Sequence, residues 1–237
     1  MPVAANNLSI RLQSDAFEAD DVRVAELTGR EHISQLFQFH LTVVTNNPAG
    51  LDAERLMRTS VSLLFEHVEE QPVIVREIHG IVSQVQDGLS FDHDHATYRL
   101  TFVPRMWLTT LHETLDIHMD MSVPEIIAKV LKRAGLREGA DVELRLRASY
   151  PKREFVVQYQ ETDLAFISRL AEHNGIFFFF EHADGVDKVV FSDHNTGFQP
   201  VEGEANLEFN PHDTDGNILT DRVVSIDTEG VRVWPGN

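Results

Sequence analysis

Histidine and carboxylate side chains are the groups in this sequence that could hold a metal ion, and the chain has 12 histidines and no cysteine. Asp92-His93-Asp94-His95 places possible ligands in direct succession. Because neighbouring residues of a strand point to opposite faces, at most half of them could contact one ion, and we predict a solvated hairpin tip instead. His112-Glu113 and His118 lack the one-turn spacing of the helical zinc-protease motif. The sequence therefore predicts no metal ligand.

Two further arrangements could support hydrolysis. Glu161 and Asp163 could serve as the carboxylate pair of a glycosidase, but capping at the start of a predicted helix explains them better. Ser168, His173 and Asp193 could be drawn as a catalytic triad, yet no strained Gly-x-Ser-x-Gly turn surrounds the serine. Nucleotide binding is unsupported, because the sequence has neither Gly-x-Gly-x-x-Gly nor a phosphate loop. We predict no catalytic residue, no cofactor-binding residue, and a protein that is not an enzyme.

The pair His79-Gly80 is a candidate for a functional histidine at the rim of a barrel. Glycine lacks a Cβ atom and is used where the backbone of another segment approaches closely. A histidine beside such a glycine is more often packed or hydrogen-bonded than functional. We therefore predict a structural role for His79.

The clearest secondary-structure pattern lies in residues 154–193, where strand, helix, strand and strand follow one another. A β-rich run over Phe155 to Tyr159 precedes a helix that Thr162 caps and Asn174-Gly175 end. Phe177 to Phe180 form the next strand, so their side chains alternate between two faces. We predict that both faces are covered, and that this strand is core rather than an exposed recognition strand.

A second helix is signalled by a capping box. Ser122 and Glu125 have the spacing of this motif, and the helix is predicted to end at Gly135. Strand signals dominate from Val142 onward, apart from the helix that Thr162 caps. After an acidic linker over residues 200–217, the sequence predicts a last strand pair, at 218–226 and 231–234.

The first hundred residues consist of strand-like runs separated by turn-rich breaks such as Asp87-Gly88. The Phe37, Phe39, Leu41, Val43 series has the period of a half-buried strand. Antiparallel strands of this kind close most readily into a small barrel or sandwich. The predicted runs are Leu8 to Leu12, Val22 to Leu27, Leu36 to Val44, Val61 to Val68, Val73 to Val85 and Thr97 to Val103.

The formal net charge of −18 argues against partners that are themselves anionic, such as nucleic acid or anionic lipid. The net charge is −10 over residues 1–121, +2 over residues 122–169 and −10 over residues 170–237. Solvated acidic loops explain this distribution, and acidic rims that steer a basic partner are the alternative. The sequence has no apolar run of about 18 residues that could span a membrane and no signal peptide. We expect synthesis in the cytoplasm, and partners that are proteins.

Short motifs distributed over residues 8–200 carry a resemblance to a known family. They are Glu31-His32-Ile33-Ser34-Gln35-Leu36-Phe37, His79-Gly80-Ile81-Val82, Tyr98-Arg99-Leu100, Val103-Pro104-Arg105-Met106-Trp107-Leu108, Ser122-Val123-Pro124-Glu125-Ile126-Ile127, Val157-Gln158-Tyr159, Glu161-Thr162-Asp163-Leu164-Ala165-Phe166, Ser168-Arg169-Leu170, and Gly175-Ile176 with Phe180-Glu181-His182 behind. In their order and wording they resemble the VgrG family, the spike proteins of bacterial type VI secretion systems, and through them the hub proteins of contractile phage tail baseplates.

The resemblance implies a fold that is mainly β with an α+β insertion. Two barrel-like β-domains of the phage baseplate hub type would be joined by an α/β segment. The first barrel-like domain would cover residues 1–104, the connecting segment 105–174, and the start of the second barrel-like domain 175–237. Chains of this family are usually much longer, so the resemblance implies that the second barrel is incomplete here. The chain would then be either truncated or a short natural variant.

The resemblance also implies a structural spike or hub component: a head module that forms a homotrimer, docks on a secretion tube and helps deliver effectors. The implied partners are an Hcp-like tube-ring protein, baseplate proteins, and effectors or their adaptors. Secretion by the type VI apparatus, to the exterior or into target cells, is implied as well. The alternatives are a tail hub of a contractile phage or prophage and, in a different class, a secreted metal-dependent hydrolase. Residues 112–121 depart from the family wording, so family contacts are not carried over there.

Overall fold

A computed structural model gives the structure of residues 8–47, 49–57, 59–68, 72–88, 95–200, 208–209 and 222–223. Residues 8–197 make up one unit of the chain, and residues 1–7 and 198–237 make up a second. Nearly all of the described structure belongs to the first unit. No helix within these described ranges is long and apolar enough to cross a membrane.

Strands from the first half of the chain form one antiparallel sheet. They are β1 (Leu8–Ser14), β2 (Val22–Arg30), β3 (Gln38–Thr45), β4 (Ser60–Val68), β5 (Pro72–Gly88) and β6 (Ala96–Val103). Their order across the sheet is β1-β4-β5-β6-β3-β2. All the strands predicted here are confirmed. The turn predicted at Asp87-Gly88 is instead the end of β5, where Gly88 pairs with Thr97.

The sheet curls so that its edge strands β1 and β2 approach each other, which gives it the shape of a partly closed barrel. Successive side chains of a strand point to opposite faces, so one face can be apolar. In β3 the side chains of Phe39, Leu41 and Val43 are buried, whereas His40 is exposed. The predicted half-buried strand is confirmed, and its buried side chains belong to the first hydrophobic core.

The remaining elements of this unit follow in chain order, with a short helix α1 (Ala53–Met57) between β3 and β4. After β6 come β7 (Glu113–Met121), α2 (Val123–Arg133), β8 (Val142–Arg145), β9 (Arg153–Thr162), α3 (Asp163–His173), β10 (Phe177–Ala183) and β11 (Val186–Ser192). Short 3₁₀ helices occur at Ala19–Asp21, Arg105–Thr110 and Asn195–Gly197.

Helix α2 begins and ends where its sequence signals predict. The Glu125 carboxylate accepts hydrogen bonds from the backbone N–H of Ser122 at 2.7 Å and from the Ser122 hydroxyl at 2.9 Å. Both hydrogen bonds lower the pKa of Glu125, and the one from the backbone has the larger effect. Gly135, just beyond the helix, has a φ of +90°, a conformation that glycine adopts without strain.

Helix α3 is also confirmed. The hydroxyl of Thr162 accepts a hydrogen bond from the backbone N–H of Ala165 at 3.2 Å, and Gly175 leaves the helix with a φ of +69°. The buried residues Phe166, Ile167 and Leu170 lie on one face of the helix. They join the buried residues of α2 in a second hydrophobic core.

A mixed sheet in the order β10-β11-β8 contributes the other side of this second core. Phe178 is buried and packs against Phe191, and Phe180 is half-buried and contacts both hydrophobic cores. On the opposite face, Phe177 and Phe179 stack on each other with ring centroids 6.3 Å apart. The predicted alternation is confirmed. The edge of β10 is partly covered, because the backbone N–H of Ser34 donates to the carbonyl of Phe178 at 2.8 Å.

In the second unit, the described residues form a parallel pair of two-residue strands, β12 (Glu208–Phe209) and β13 (Arg222–Val223). Apart from Arg222–Val223, the predicted last strand pair lies outside the described residues. Asp92, His93 and Asp94 of the predicted hairpin tip also lie outside them.

Candidate functional site

Arg105 lies in a buried polar junction between the two hydrophobic cores. It follows β6, and its guanidinium Nη1 donates to Oδ1 of Asp141 at 2.9 Å while Nε donates to Oδ1 of Asp187. Its backbone N–H also donates to Asp187. Both carboxylates are buried. The junction therefore ties the end of the first sheet to β11 and to the loop before β8.

Arg137 adds further donors to the same junction. Its backbone N–H and its Nε donate to Oδ2 of Asp141 at 2.8 and 2.9 Å. Burial alone would raise the pKa of Asp141, but the hydrogen bonds from Arg137 and Arg105 outweigh it and lower this pKa to about 2. Asp141 is therefore a permanent anion at neutral pH, and the junction is held by charge.

The two carboxylates considered for glycoside hydrolysis have separate partners. Glu161 accepts from Nε and Nη2 of Arg169 at 2.8 and 2.6 Å. Asp163 is buried and accepts from Arg133 and, at 2.9 Å, from Nε2 of Gln158. Asp163 is in the first turn of α3 as expected, but no local pattern indicates that its partner is Arg133 of α2. Both groups are engaged in ion pairs that fix α3.

The histidines considered as zinc ligands do not converge. His118 is buried and stacks on Phe166 with centroids 5.2 Å apart, while His112 is largely exposed. Burial, assisted by Lys129, lowers the pKa of His118. His95 is exposed, and its neighbours in the Asp-His run are not described. Across the described part of the chain, no cluster of metal-ligating side chains is found.

Of the three groups drawn as a possible triad, Asp193 has its hydrogen-bond partners in another segment. Asp193 accepts from the backbone N–H groups of Arg147 and Ala148, at 3.0 and 2.7 Å, and from the hydroxyl of Tyr150 at 3.0 Å. Burial and the neighbouring carboxylate raise the pKa of Tyr150 to about 12. Asp193 therefore fixes the loop after β8, while Ser168 and His173 lie on α3.

His79 is buried and hydrogen-bonded, as predicted. Its Nδ1 lies 2.8 Å from the hydroxyl of Ser62, and its backbone N–H donates to Nδ1 of His182 at 3.1 Å. A Cβ atom on Gly80 would lie 2.4 Å from the carbonyl oxygen of Val103. The predicted close approach of backbone at Gly80 is therefore confirmed, and His79 joins β5 to β10.

This close approach leads to a stability prediction. Gly80→Ala is expected to lower the free energy of unfolding by about 2–3 kcal/mol, because the added methyl group meets backbone that cannot move away without disturbing β6. Gln86→Ala, at an exposed position of the same strand, should change it by less than about 0.5 kcal/mol. Urea unfolding followed by circular dichroism measures both. Equal midpoints for the two variants would contradict the prediction.

Strands β7 and β9 form a two-stranded antiparallel ribbon that buries its polar side. His118 and Gln158 face inward, where His118 stacks on α3 and Gln158 binds Asp163. The opposite side is apolar and exposed, with 37 to 66% of each residue accessible. We call this side the ribbon face. It consists of Leu115, Ile117, Met119, Phe155, Val157 and Tyr159.

A curled β-sheet, an α/β unit joined to it by buried ion pairs, and an exposed apolar ribbon make up the fold of the described residues. The family model for the phage tail baseplate hub (GPD) matches residues 30–232. The chain belongs to this family of phage tail baseplate hub proteins.

The relatives agree with this assignment. The type VI secretion system spike protein VgrG4b of Pseudomonas aeruginosa is 34% identical over 194 residues, which are 82% of this chain and 23% of that protein. A solved E. coli type VI secretion component, described as similar to the T4 tail proteins gp27 and gp5, is 27% identical with a TM-score of 0.72. That match covers 86% of this chain and 53% of the solved chain. The predicted resemblance to VgrG proteins and the predicted fold class are confirmed.

A more distant structure shares the fold. It is a Francisella PdpA–VgrG complex, with 11% identity and a TM-score of 0.54 over 79% of this chain and 31% of that chain. The present chain spans about a quarter of the length of the curated spike proteins that it matches.

Proposed function

We propose that this chain is the head module of a type VI secretion spike, a structural hub that trimerises, docks on the end of the secretion tube and helps deliver effectors. The observation that carries the proposal is the match to secretion spike proteins over most of the chain, at 34% identity to VgrG4b. The partners proposed are an Hcp-like tube-ring protein, baseplate proteins, and effectors or their adaptors. The solved PdpA–VgrG complex supports the principle that such a protein carries a second one.

A non-enzymatic role is part of the proposal. Glu161, Asp163 and Asp193, the carboxylates that could have served catalysis, accept hydrogen bonds from arginines, a glutamine side chain, backbone amides and a tyrosine. Such hydrogen bonds stabilise the fold, because each carboxylate joins its own segment of the chain to another one. The proposed hub has three parts, residues 1–104, 105–174 and 175–237. We also propose that the protein is synthesised in the cytoplasm and exported by the secretion apparatus.

The experiment that tests the proposal is association with the tube-ring protein of the same bacterium. The purified pair should co-elute on size exclusion, and disruption of the gene should abolish release of the tube-ring protein into the medium. A pair that does not associate, together with unchanged release from the disrupted strain, would show that the proposal is wrong.

A tail hub of a contractile phage or prophage is the second candidate. It is favoured by the family itself, which is named for phage tail baseplate hubs, and by the E. coli structure described as similar to T4 tail proteins. The two candidates differ in where the protein is found. A phage hub should be recovered in tail-like particles after induction of a prophage, whereas a secretion spike should be released without cell lysis.

A further inference from the structure

The ribbon face has the size and the continuity of a contact surface between proteins. Met119 pairs with Phe155 and Ile117 pairs with Val157, so its apolar side chains are continuous across both strands. A large apolar or aromatic side chain presents roughly 150–250 Å² when fully exposed, so the observed accessibilities correspond to about 700 Å². Monomeric proteins seldom expose a contiguous apolar patch larger than a few hundred Å², and a stable interface buries about 800 Å² on each partner.

Hydrogen bonds at the backbone of the ribbon favour a partner that packs on its face over one that adds a strand to its edge. The carbonyl of Val157 accepts from Nη2 of Arg169 at 3.0 Å, and the backbone N–H of Ile117 donates to Oδ1 of Asp116 at 2.8 Å. An added strand would have to displace such hydrogen bonds before it could pair with the same backbone groups. A partner that covers the face leaves them in place.

The dimensions of the ribbon face match a single helix. Its two strands are about 5 Å apart, so the face with its side chains is about 10 Å wide, which is also the diameter of an α-helix. From Leu115 to Met119 the strand rises by about 13 Å, a length that about nine residues of helix span. Apolar residues at i, i+3, i+4 and i+7 of such a helix would contact the face.

The charges around the ribbon face are acidic. Strand β7 has three carboxylates and no lysine or arginine, and β9 has two carboxylates and one arginine. Glu113 lies at one end of the face, where β7 begins. Asp120 and Glu154 lie side by side at the other end, where they fall between two successive pairs of the register. All three are exposed, and none has an ion pair within the part of the chain that the structure describes.

The basic residues closest to these carboxylates in sequence have other partners. Arg153 donates to the side-chain oxygen of Asn174 at 3.0 Å, and Lys152 lies 3.7 Å from Glu125. Two neighbouring carboxylates on adjacent strands repel each other when no cation compensates them. A cationic group supplied by a partner would relieve this repulsion and would be attracted by it.

We infer that the ribbon face is a docking surface for a different protein, and that its occupant is an amphipathic helix whose apolar side is flanked by lysine or arginine. The apolar side of this helix covers Ile117 and its neighbours, and the flanking cations meet Glu113 at one end and Asp120 with Glu154 at the other. A second ribbon face would meet these carboxylates with carboxylates of its own. The inference goes beyond the proposed function, which assigns no residues to any partner.

The test uses two synthetic helical peptides as probes, each of about 18 residues so that it can be helical in water. Both have leucine on one side, and the other side is lysine in the first peptide and glutamate in the second. Fluorescence anisotropy in about 0.1 M salt measures their binding to the whole 237-residue chain. The leucine/lysine peptide should bind and should protect residues 113–121 and 153–159 from hydrogen exchange. Failure of this peptide to bind, or equal binding of the leucine/glutamate peptide, would overturn the inference.

A pair of isoleucine variants tests the apolar part of the surface. Ile117→Gln removes apolar contact without changing the charge, and should weaken binding of the leucine/lysine peptide about tenfold. Ile33→Gln is the matched control, because both isoleucines are 57% exposed, and it should bind like the unchanged chain. Circular dichroism and thermal unfolding show that both variants are folded. Equal affinities of the two variants would contradict the inference.

A pair of charge variants tests the acidic ends of the face. Asp120→Asn combined with Glu154→Gln should weaken binding of the leucine/lysine peptide about three- to tenfold. Glu18→Gln combined with Asp20→Asn removes the same charge from exposed positions just before β2, and should change the affinity less than about twofold, since salt screens distant charges. Equal losses in the two double variants would show that the peptide responds only to the net charge of −18, and the inference would be wrong.

Two parallel measurements separate this inference from other assignments of the ribbon face. Light scattering gives the mass of the unchanged chain and of both isoleucine variants. Association that Ile117→Gln abolishes and Ile33→Gln does not would assign the face to a second copy, which overturns the inference. Binding of the tube-ring protein is measured on the same samples. A chain that binds the leucine/lysine peptide and ignores the tube-ring protein supports the inference and contradicts the proposed function, and the reverse result overturns the inference alone.

Discussion

Arg105→Met is expected to lower the free energy of unfolding by about 3–5 kcal/mol, because it removes the donor shared by two buried carboxylates. Asp187 would keep the backbone N–H of residue 105 but would lose the charge that balances its own. Methionine has a similar length and no charge, so the substitution measures the contribution of the guanidinium group to stability. Urea unfolding followed by circular dichroism measures the effect.

Arg137→Met is the matched control for this prediction. Arg137 binds the same Asp141 carboxylate, but 74% of its side chain is exposed, so solvent can replace it. Exposed ion pairs contribute about 0–1 kcal/mol, and this variant should lose no more than that. Adding Asp187→Asn to Arg105→Met should recover part of the loss, since the buried group is then neutral. Equal losses for the two arginine variants would show that burial does not govern the junction.

The helices were predictable because their signals are local. Ser122 and Glu125 mark the start of α2, Thr162 marks the start of α3, and Gly175 marks its end. The hydrogen bonds of each N-terminal cap join residues that are only three positions apart. The strands of the first sheet were predictable for a related reason. The period of two in the sequence reports which side chains share a face, and in β3 that face is buried.

The polar junctions could not be predicted in the same way. Arg105 and Asp187 are 82 residues apart, and Arg133 and Asp163 are 30 apart, so no local pattern shows which carboxylate meets which arginine. One signal was available in the segment from Val103 to Leu108. A single charged residue within this otherwise apolar run has to find a partner when the run is buried.

The ribbon face shows a different limit of sequence analysis. Leu115, Ile117 and Met119 alternate with polar residues as in any half-buried strand, and the pattern alone predicts that the apolar side faces the core. The structure has the opposite orientation, because two polar residues of the ribbon contact α3. Gln158 donates to Asp163, and His118 stacks on Phe166. Alternation identifies two faces of a strand, but only tertiary contacts decide which of them is inside.

Acidification is expected to weaken the contact between the two cores through His182. Burial in the first place, and then the proximity of His79 and Arg76, lower the pKa of His182 to about 4. The unfolded chain keeps the ordinary histidine pKa near 6.5, so between these two values it binds a proton that the folded chain does not. Stability therefore falls as the pH drops. The contribution is complete above about pH 6.5 and lost below about pH 4.

The expected loss over this range is about 2–3 kcal/mol, since each pKa unit corresponds to about 1.4 kcal/mol and solvent screens part of the shift at a half-buried ring. The physical cause is specific, because protonated Nδ1 of His182 can no longer accept from the backbone N–H of His79. His182→Gln stays neutral, so its urea midpoint should depend less on pH between pH 7 and pH 4. His32→Gln, at an exposed position, should keep the slope of the unchanged protein. If His182→Gln keeps that slope too, another group is responsible, and His118, whose pKa is also lowered, is the next to test.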